Sequence, residues 1–235
     1  MFNIISEIGI NYDGNFDLIN EMIRQSKMGG ADYAKIQLYT SKLIWGDDSR
    51  KKNELNFEQV KKIKELCEIL DIQFLATVND LEKLEWCEKL DQKVYKVSSY
   101  IVKNDKNFVQ EVINTGKLVY VPLGMWDSKN MPFYEKNVRY MYCVSNYPTY
   151  WDQLINFPNK FDGKPFHGFS DHSYGISACL LAISRGAGII EKHFTLNKAS
   201  IGARDHIGSM NLDELKILST YGRELHLLNQ AINDN

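Results

Sequence analysis

The sequence has little of what would tie a chain to export, a membrane or a polyanion. Its 235 residues contain four cysteines, Cys67, Cys87, Cys143 and Cys179, and none are spaced as a CxxC pair. Scattered thiols argue against a disulfide framework and for a reducing compartment. The start, MFNIISEIGINYDG, has no basic segment followed by an apolar one, so no secretory leader is expected. The longest apolar region, residues 176–190, is interrupted by Ser184, Arg185 and two glycines and is too short to span a bilayer. Neither sign of charge dominates: 28 Lys and Arg against 30 Asp and Glu give a net charge of −2. That leaves no electrostatic footprint for nucleic acid or an anionic membrane. There is no Pro-, Gly- or Ser-rich linker and no internal repeat, so residues 1–235 are expected to form a single domain. These absences together predict a cytoplasmic, soluble protein.

What is present is ordinary in bulk and specific in order. A hydrophobic content of 44% with 25% charged residues suits a globular chain that buries a sizeable core. Short β-branched runs at 3–10, 33–39, 74–78, 94–99, 118–124, 138–145, 166–170 and 189–194 read as strands. Helical periodicity occupies 17–28, 57–70, 81–90, 107–114, 174–185 and 212–232, while the crossovers near 127–134 and 150–156 are short or degenerate. Glycines at 29–32 (GGAD) should end the first helix. Eight β–α units in series fit a shortened (β/α)8 TIM barrel, an α/β fold with its active site at the carboxyl ends of the strands. A doubly wound sheet is the runner-up, but EIGINYDG is not the glycine-rich fingerprint such sheets carry after their first strand.

Polar residues recur near the ends of these strands, and side-chain alternation lets one parity point inward. Lys35 and Gln37 share a parity, as do Ser170 and His172, and Glu191 and His193. The two histidines end successive strands that the crossover makes parallel, and such strands lie ~4.8 Å apart. Both imidazoles can therefore reach one divalent ion, leaving positions open for water and substrate as Lewis-acid catalysis requires. Manganese suits mixed nitrogen and oxygen ligation better than calcium, with magnesium or cobalt as alternatives. Lys35 and Lys96 are strand-borne cations that need an anionic partner or ligand, and with Thr77, Ser99 and Ser170 they suit a phosphate or carboxylate. Glu7 is a candidate acid/base, or else a structural partner of a lysine.

The motifs SEIGINYDGN, GGADYAKIQLY, FLATVND, YKVSS, PLGM, CVSNYPT, GFSDHSYGI and AGIIEKHFTL, followed by RDH, occur in this order over roughly residues 6 to 206. In that order they resemble the N-acetylneuraminate (sialic acid) synthase family, whose relatives make legionaminic and pseudaminic acids. The resemblance implies a barrel that condenses phosphoenolpyruvate with an N-acyl aminosugar, an N-acetylmannosamine-like aldose, and releases phosphate. It also implies that His172 and His193 hold the metal, and that Lys35, Thr77, Lys96, Ser99 and Ser170 contact phosphoenolpyruvate. Glu7 would be the acid/base, with Tyr147 and Asp205 on the sugar side and Gln37, Ser145 and Asn146 as further binding candidates.

Some features depart from the family pattern. The family's STGM appears as Pro122-Leu123-Gly124-Met125, Ile101 replaces an acidic residue, and the segment between Phe194 and Asp205 is one residue longer. The chain ends at Asn235, where the family continues into an antifreeze-like domain that covers the sugar from a partner subunit, and it begins bare at Met1. A homodimer, or a separate lid-domain chain, is the corresponding partner expectation. The rival readings are a metal-dependent aldolase or lyase on a small keto acid, and a non-catalytic ligand-binding relative. Cys143 and Cys179 read as small buried hydrophobes, and the aromatics Trp126, Phe133, Tyr134, Tyr140 and Tyr142 as packing. Residues 50–54 (RKKNE) read as a solvated loop, and His206 as a side chain that could line the site.

Overall fold

Eight parallel strands close into a barrel in chain order in the computed structural model, which describes residues 2–233. They are β1 (Asn3–Gly9), β2 (Tyr33–Leu38), β3 (Gln73–Val78), β4 (Val94–Lys96), β5 (Leu118–Pro122), β6 (Val138–Cys143), β7 (Phe166–Asp171) and β8 (Ile189–His193). The helices are α1 (Phe16–Met28), α2 (Ser41–Trp45), α3 (Phe57–Ile69), α4 (Leu81–Lys89), α5 (Ser99–Asn104), α6 (Lys106–Asn114), α7 (Ser177–Ser184) and α8 (Leu212–Asn233). The expected bareness at Met1 lies outside the described residues.

Local chemistry sets the helix boundaries. Asn56 and Gln59 form a reciprocal capping box at α3, and Asp80 and Asp105 cap α4 and α6 through backbone N–H groups at 3.0 Å. Helix α1 ends at Gly29, followed by Gly30 at a φ of +86°, as GGAD anticipates. The β5–β6 connection contains no helix, and the β6–β7 connection has only a 3-10 turn at Trp151–Gln153.

Several elements differ from the sequence expectation, among them the strand over 118–124, which stops at Pro122. The fourth strand stops at Lys96 because Ser98 caps α5, accepting from the Ile101 N–H at 3.3 Å. Ser99 therefore opens a helix rather than ending a strand. The strand over 138–145 stops at Cys143, leaving Ser145 in the following loop. The helix expected from 174 begins only at Ser177.

Outward side chains of the strands pack with the helices into the main core, which includes Ile4, Ile36, Val78, Phe169 and Ile190. Inside the barrel, Ile5, Tyr33, Leu75, Tyr120, Met141 and Ile189 form a separate apolar plug. Above that plug, toward the strand ends, the interior side chains are mostly polar. No helix among the described residues is long and apolar enough to cross a membrane.

Candidate active site

The register of the barrel assembles the polar layer. Glu7 on β1 lies opposite Lys35 on one side and His193 on the other. Gln37 faces Thr77, Thr77 faces Lys96, and Ser170 faces Glu191. Each of these residues lies two positions beyond an inward apolar residue or another inward polar one, so alternation delivers them to one cavity. That cavity is lined by Glu7, Lys35, Gln37, Thr77, Lys96, Ser99, Cys143, Tyr147, Ser170, His172, Glu191 and His193.

Glu191 is the hub of its electrostatics. Its carboxylate lies 2.8 Å from Lys96 Nζ and 3.1 Å from Lys35 Nζ, and it accepts from Ser170 Oγ at 2.7 Å. Lys35 also pairs with Glu7, and the Gln37 amide donates to Glu7 at 2.6 Å. Burial would raise the Glu191 pKa, yet Lys96 and Lys35 hold it well below the usual carboxylate range. Burial likewise opposes the charge on Lys96, but Glu191 and Glu7 outweigh it and its pKa rises. The layer therefore holds two carboxylates and two ammonium groups, an arrangement too costly to bury unless charges are paired and hydrogen-bonded. Thr77 Oγ1 is buried there without a hydrogen-bond partner, a free group for a ligand.

The two imidazoles stand 5.5 Å apart, centroid to centroid, at the rim of this layer. His172 Nδ1 lies 2.9 Å from the Val144 carbonyl, to which it can donate as an N–H, leaving Nε2 as the ligating nitrogen. Burial and the neighbouring His193 push the His172 pKa down to about 3, so the ring stays neutral, as a metal ligand must be. His193 Nδ1 is buried with no partner. Gly9 makes room for that ring: its φ is +56°, and a Cβ there would sit 3.0 Å from His193 Nδ1. Among the described residues no group of three or more His, Cys, Asp or Glu is arranged to hold a metal. His172 Nε2 and the unpartnered His193 Nδ1 are the nitrogen donors that would hold an ion here, fewer than the four protein ligands of a closed structural site.

The other expected residues divide. Ser99 Oγ accepts from the Gly124 N–H at 3.2 Å and lines the deep cavity, despite opening a helix. Tyr147 packs 4.3 Å from the His172 ring. Asp205 lines a small recess with Tyr147, His172, His193 and Arg204, and its Oδ1 is buried without a hydrogen bond. Ser145 lines only the mouth, and Asn146 is exposed and lines none of these cavities. His206 turns away, its Nε2 3.1 Å from Asp13 and its Nδ1 2.8 Å from Thr195. Ile101, on α5, is buried in the main core, and Tyr134 is 80% exposed rather than packed.

Sequence reasoning underweighted Glu191 and Cys143. Cys143 is buried but is no mere filler: its Sγ lies 3.8 Å from both His172 Nδ1 and Ser99 Oγ. Burial raises its pKa, so it stays a neutral thiol. Its signal was parity, since Met141 points into the plug and Cys143 is two residues on.

Above the deep cavity the mouth opens into about 360 Å³, lined by Trp45, Arg50, Tyr100, Met125, Ser145 and Arg204 among others. Each arginine lies over an aromatic face, Arg50 at 4.2 Å from the Trp45 centroid and Arg204 at 4.6 Å from that of Tyr147. The site thus grades from a charged, enclosed floor to a wider mouth with cationic and aromatic walls.

Comparison with known proteins places this geometry. A sequence model described as the NeuB family matches residues 22–233. The N,N'-diacetyllegionaminic acid synthase of Campylobacter jejuni is 28% identical, over 94% of this chain and 75% of its own length. The pseudaminic acid synthase of the same organism is 30% identical, over 92% of this chain and 71% of its own. The crystal structure of N-acetylneuraminic acid synthetase from Leptospira borgpetersenii matches with a TM-score of 0.85 at 26% identity, covering 97% of this chain and 84% of that one.

Proposed function

The chain belongs to the NeuB family, and on that premise we propose that it condenses phosphoenolpyruvate with an N-acyl aminosugar to form a sialic-acid-type nonulosonate. Phosphate is the second product. Relatives named for legionaminic and pseudaminic acids support the reaction class and leave the sugar open. The observation that carries the reading is the meeting of Lys35, Lys96, Thr77, Ser99 and Ser170 with two imidazoles in one cavity.

The lysines and hydroxyls suit the carboxylate and phosphate of phosphoenolpyruvate, with Thr77 Oγ1 the donor that lacks a partner. Anion binding draws Lys35 and Lys96 partly away from Glu7 and Glu191, so no lysine is left buried and unpaired. A divalent ion, manganese or alternatively magnesium or cobalt, bound by His172 and His193 supplies Lewis-acid polarisation of the sugar aldehyde. The enol carbon attacks the aldehyde carbon, whose oxygen gains a proton. Water adds to the carbocation left on the phosphoenolpyruvate skeleton and gives up one proton, which Glu7 is placed to accept. Collapse of that adduct breaks the carbon–oxygen bond to phosphate and leaves the 2-keto acid. Tyr147, Asp205 and Arg204 form the sugar side, above the imidazoles.

Residues 1–235 are proposed to act as one catalytic barrel domain. Phosphoenolpyruvate carrying heavy oxygen at its bridging position tests the chemistry. Recovery of the label in the phosphate, together with a new nonulosonate, is the expected result. Cleavage of a keto-acid sugar to pyruvate, with phosphoenolpyruvate left intact, would favour the aldolase reading instead.

A further inference from the structure

Directly behind the two histidines, on the outer face of the barrel, lies a fully buried ion pair. Asp171 and Lys192 are register partners across β7 and β8, and each immediately precedes one imidazole in the sequence. Alternation sends them outward where the histidines go inward. Both side chains are 0% exposed, with Lys192 Nζ 2.7 Å from Asp171 Oδ2. The remaining bonds are also satisfied: Lys192 donates to the Ser173 carbonyl at 2.6 Å, and the Ser173 N–H donates to Asp171 Oδ1 at 2.8 Å. The Cys179 thiol on α7 donates to Asp171 Oδ2 at 3.1 Å.

Phe169, Ile190 and Phe194 are fully buried on the same outer faces, and Ser6, the register partner of Lys192 on β1, is buried there too. Burying an ion pair in such a layer gains little or no stability over an apolar pair of equal volume. What it does supply is direction. Charge-assisted bonds from β8 to the end of β7 and to its next residue but one fix the separation and register of the two strand ends. On the inner face those same ends carry His172 and His193. Asp171 contributes to the wall of the cavity, yet the side chains of both residues are 0% exposed.

We propose that Asp171 and Lys192 are positioning residues that set the spacing of His172 and His193 for a divalent cation, an inference that rests on the metal reading above. Outer partners that orient metal ligands typically change metal affinity by about 10- to 100-fold when removed. The test is calorimetric titration of the intact protein with manganese and cobalt, alongside thermal unfolding and the visible spectrum of the cobalt form. The double variant Asp171→Leu/Lys192→Met replaces the pair with apolar side chains. It is expected to stay folded, bind both ions at least about ten-fold more weakly and show an altered cobalt spectrum. Lys192→Arg, which keeps the charge, should retain more affinity than Lys192→Met. A folded double variant with wild-type affinity and spectrum would overturn the inference while leaving the metal reading intact. If the double variant does not fold, Asp171→Asn decides by the same titration: weakened binding supports the positioning role, and unchanged binding overturns it. No binding by the wild-type protein would remove the metal reading, and this inference with it.

Discussion

At the scale of the residue, Lys96 connects the electrostatics to the chemistry. It is 8% exposed, and Glu191 holds it at 2.8 Å. Lys96→Met leaves Glu191 with only Lys35 as cationic partner and removes one cation facing the incoming anion. Turnover per phosphoenolpyruvate at low concentration should fall about 100-fold or more, the scale seen when a preorganised electrostatic donor is lost. Steady-state kinetics check this, and a loss below five-fold would detach Lys96 from the reaction. Arg204 stands on the proposed sugar side. Its guanidinium lies over Tyr147 at the mouth, and its side chain is 65% exposed. Arg204→Ala should raise the KM for the sugar about three- to ten-fold, in line with a partly desolvated cation–π contact, and leave that for phosphoenolpyruvate unchanged. An effect on phosphoenolpyruvate alone would reassign the arginine to the phosphate.

At the scale of the element, helix caps and strand ends do separate jobs. The capping box of Asn56 and Gln59 satisfies N–H groups at the start of α3, and neither residue lines the deep cavity or its mouth. Asn56→Ala should cost about 1 kcal/mol of stability and leave kcat unchanged, as denaturant unfolding and a rate assay together would show. Strand-end chemistry was legible in the sequence because alternation is local: Lys35 with Gln37, and Glu191 with His193, declare their common face without any tertiary information. The limits of β4 and the placement of Ser99 were less so, since Ser98 is both a β-compatible residue and a helix cap. The five-residue α2 and six-residue α5 are too short for helical periodicity to register. Glu191 as hub was not legible either. Which carboxylate meets which lysine depends on contacts across the barrel, and Lys35 on β2 reaches Glu191 on β8 through the interior.

At the scale of the whole molecule, the ordered motifs carried the fold, since eight strand ends in family order admit few other closures. The buried tyrosines make the fold itself sensitive to alkali. Tyr39, Tyr120, Tyr140 and Tyr142 are each pushed up to about 12, burial being the main cause. In the unfolded chain these phenols ionise near 10, so that state loses protons first as pH rises. The stability they contribute is whole below about pH 10 and is lost progressively toward about pH 12. The buried phenols should therefore ionise in one steep alkaline step that coincides with loss of the circular dichroism signal. Ionisation of all 13 tyrosines near pH 10 with the helical signal intact would contradict the burial.

The functional claim turns on the polar layer acting as one condensing site. Its most direct test is release of inorganic phosphate from phosphoenolpyruvate with manganese, across N-acyl hexosamines and simple aldoses. The wild-type protein is compared with His193→Ala and with samples lacking sugar. The expected result is release that requires an N-acyl hexosamine and disappears in His193→Ala. Release independent of sugar, or equal release by His193→Ala, would contradict it.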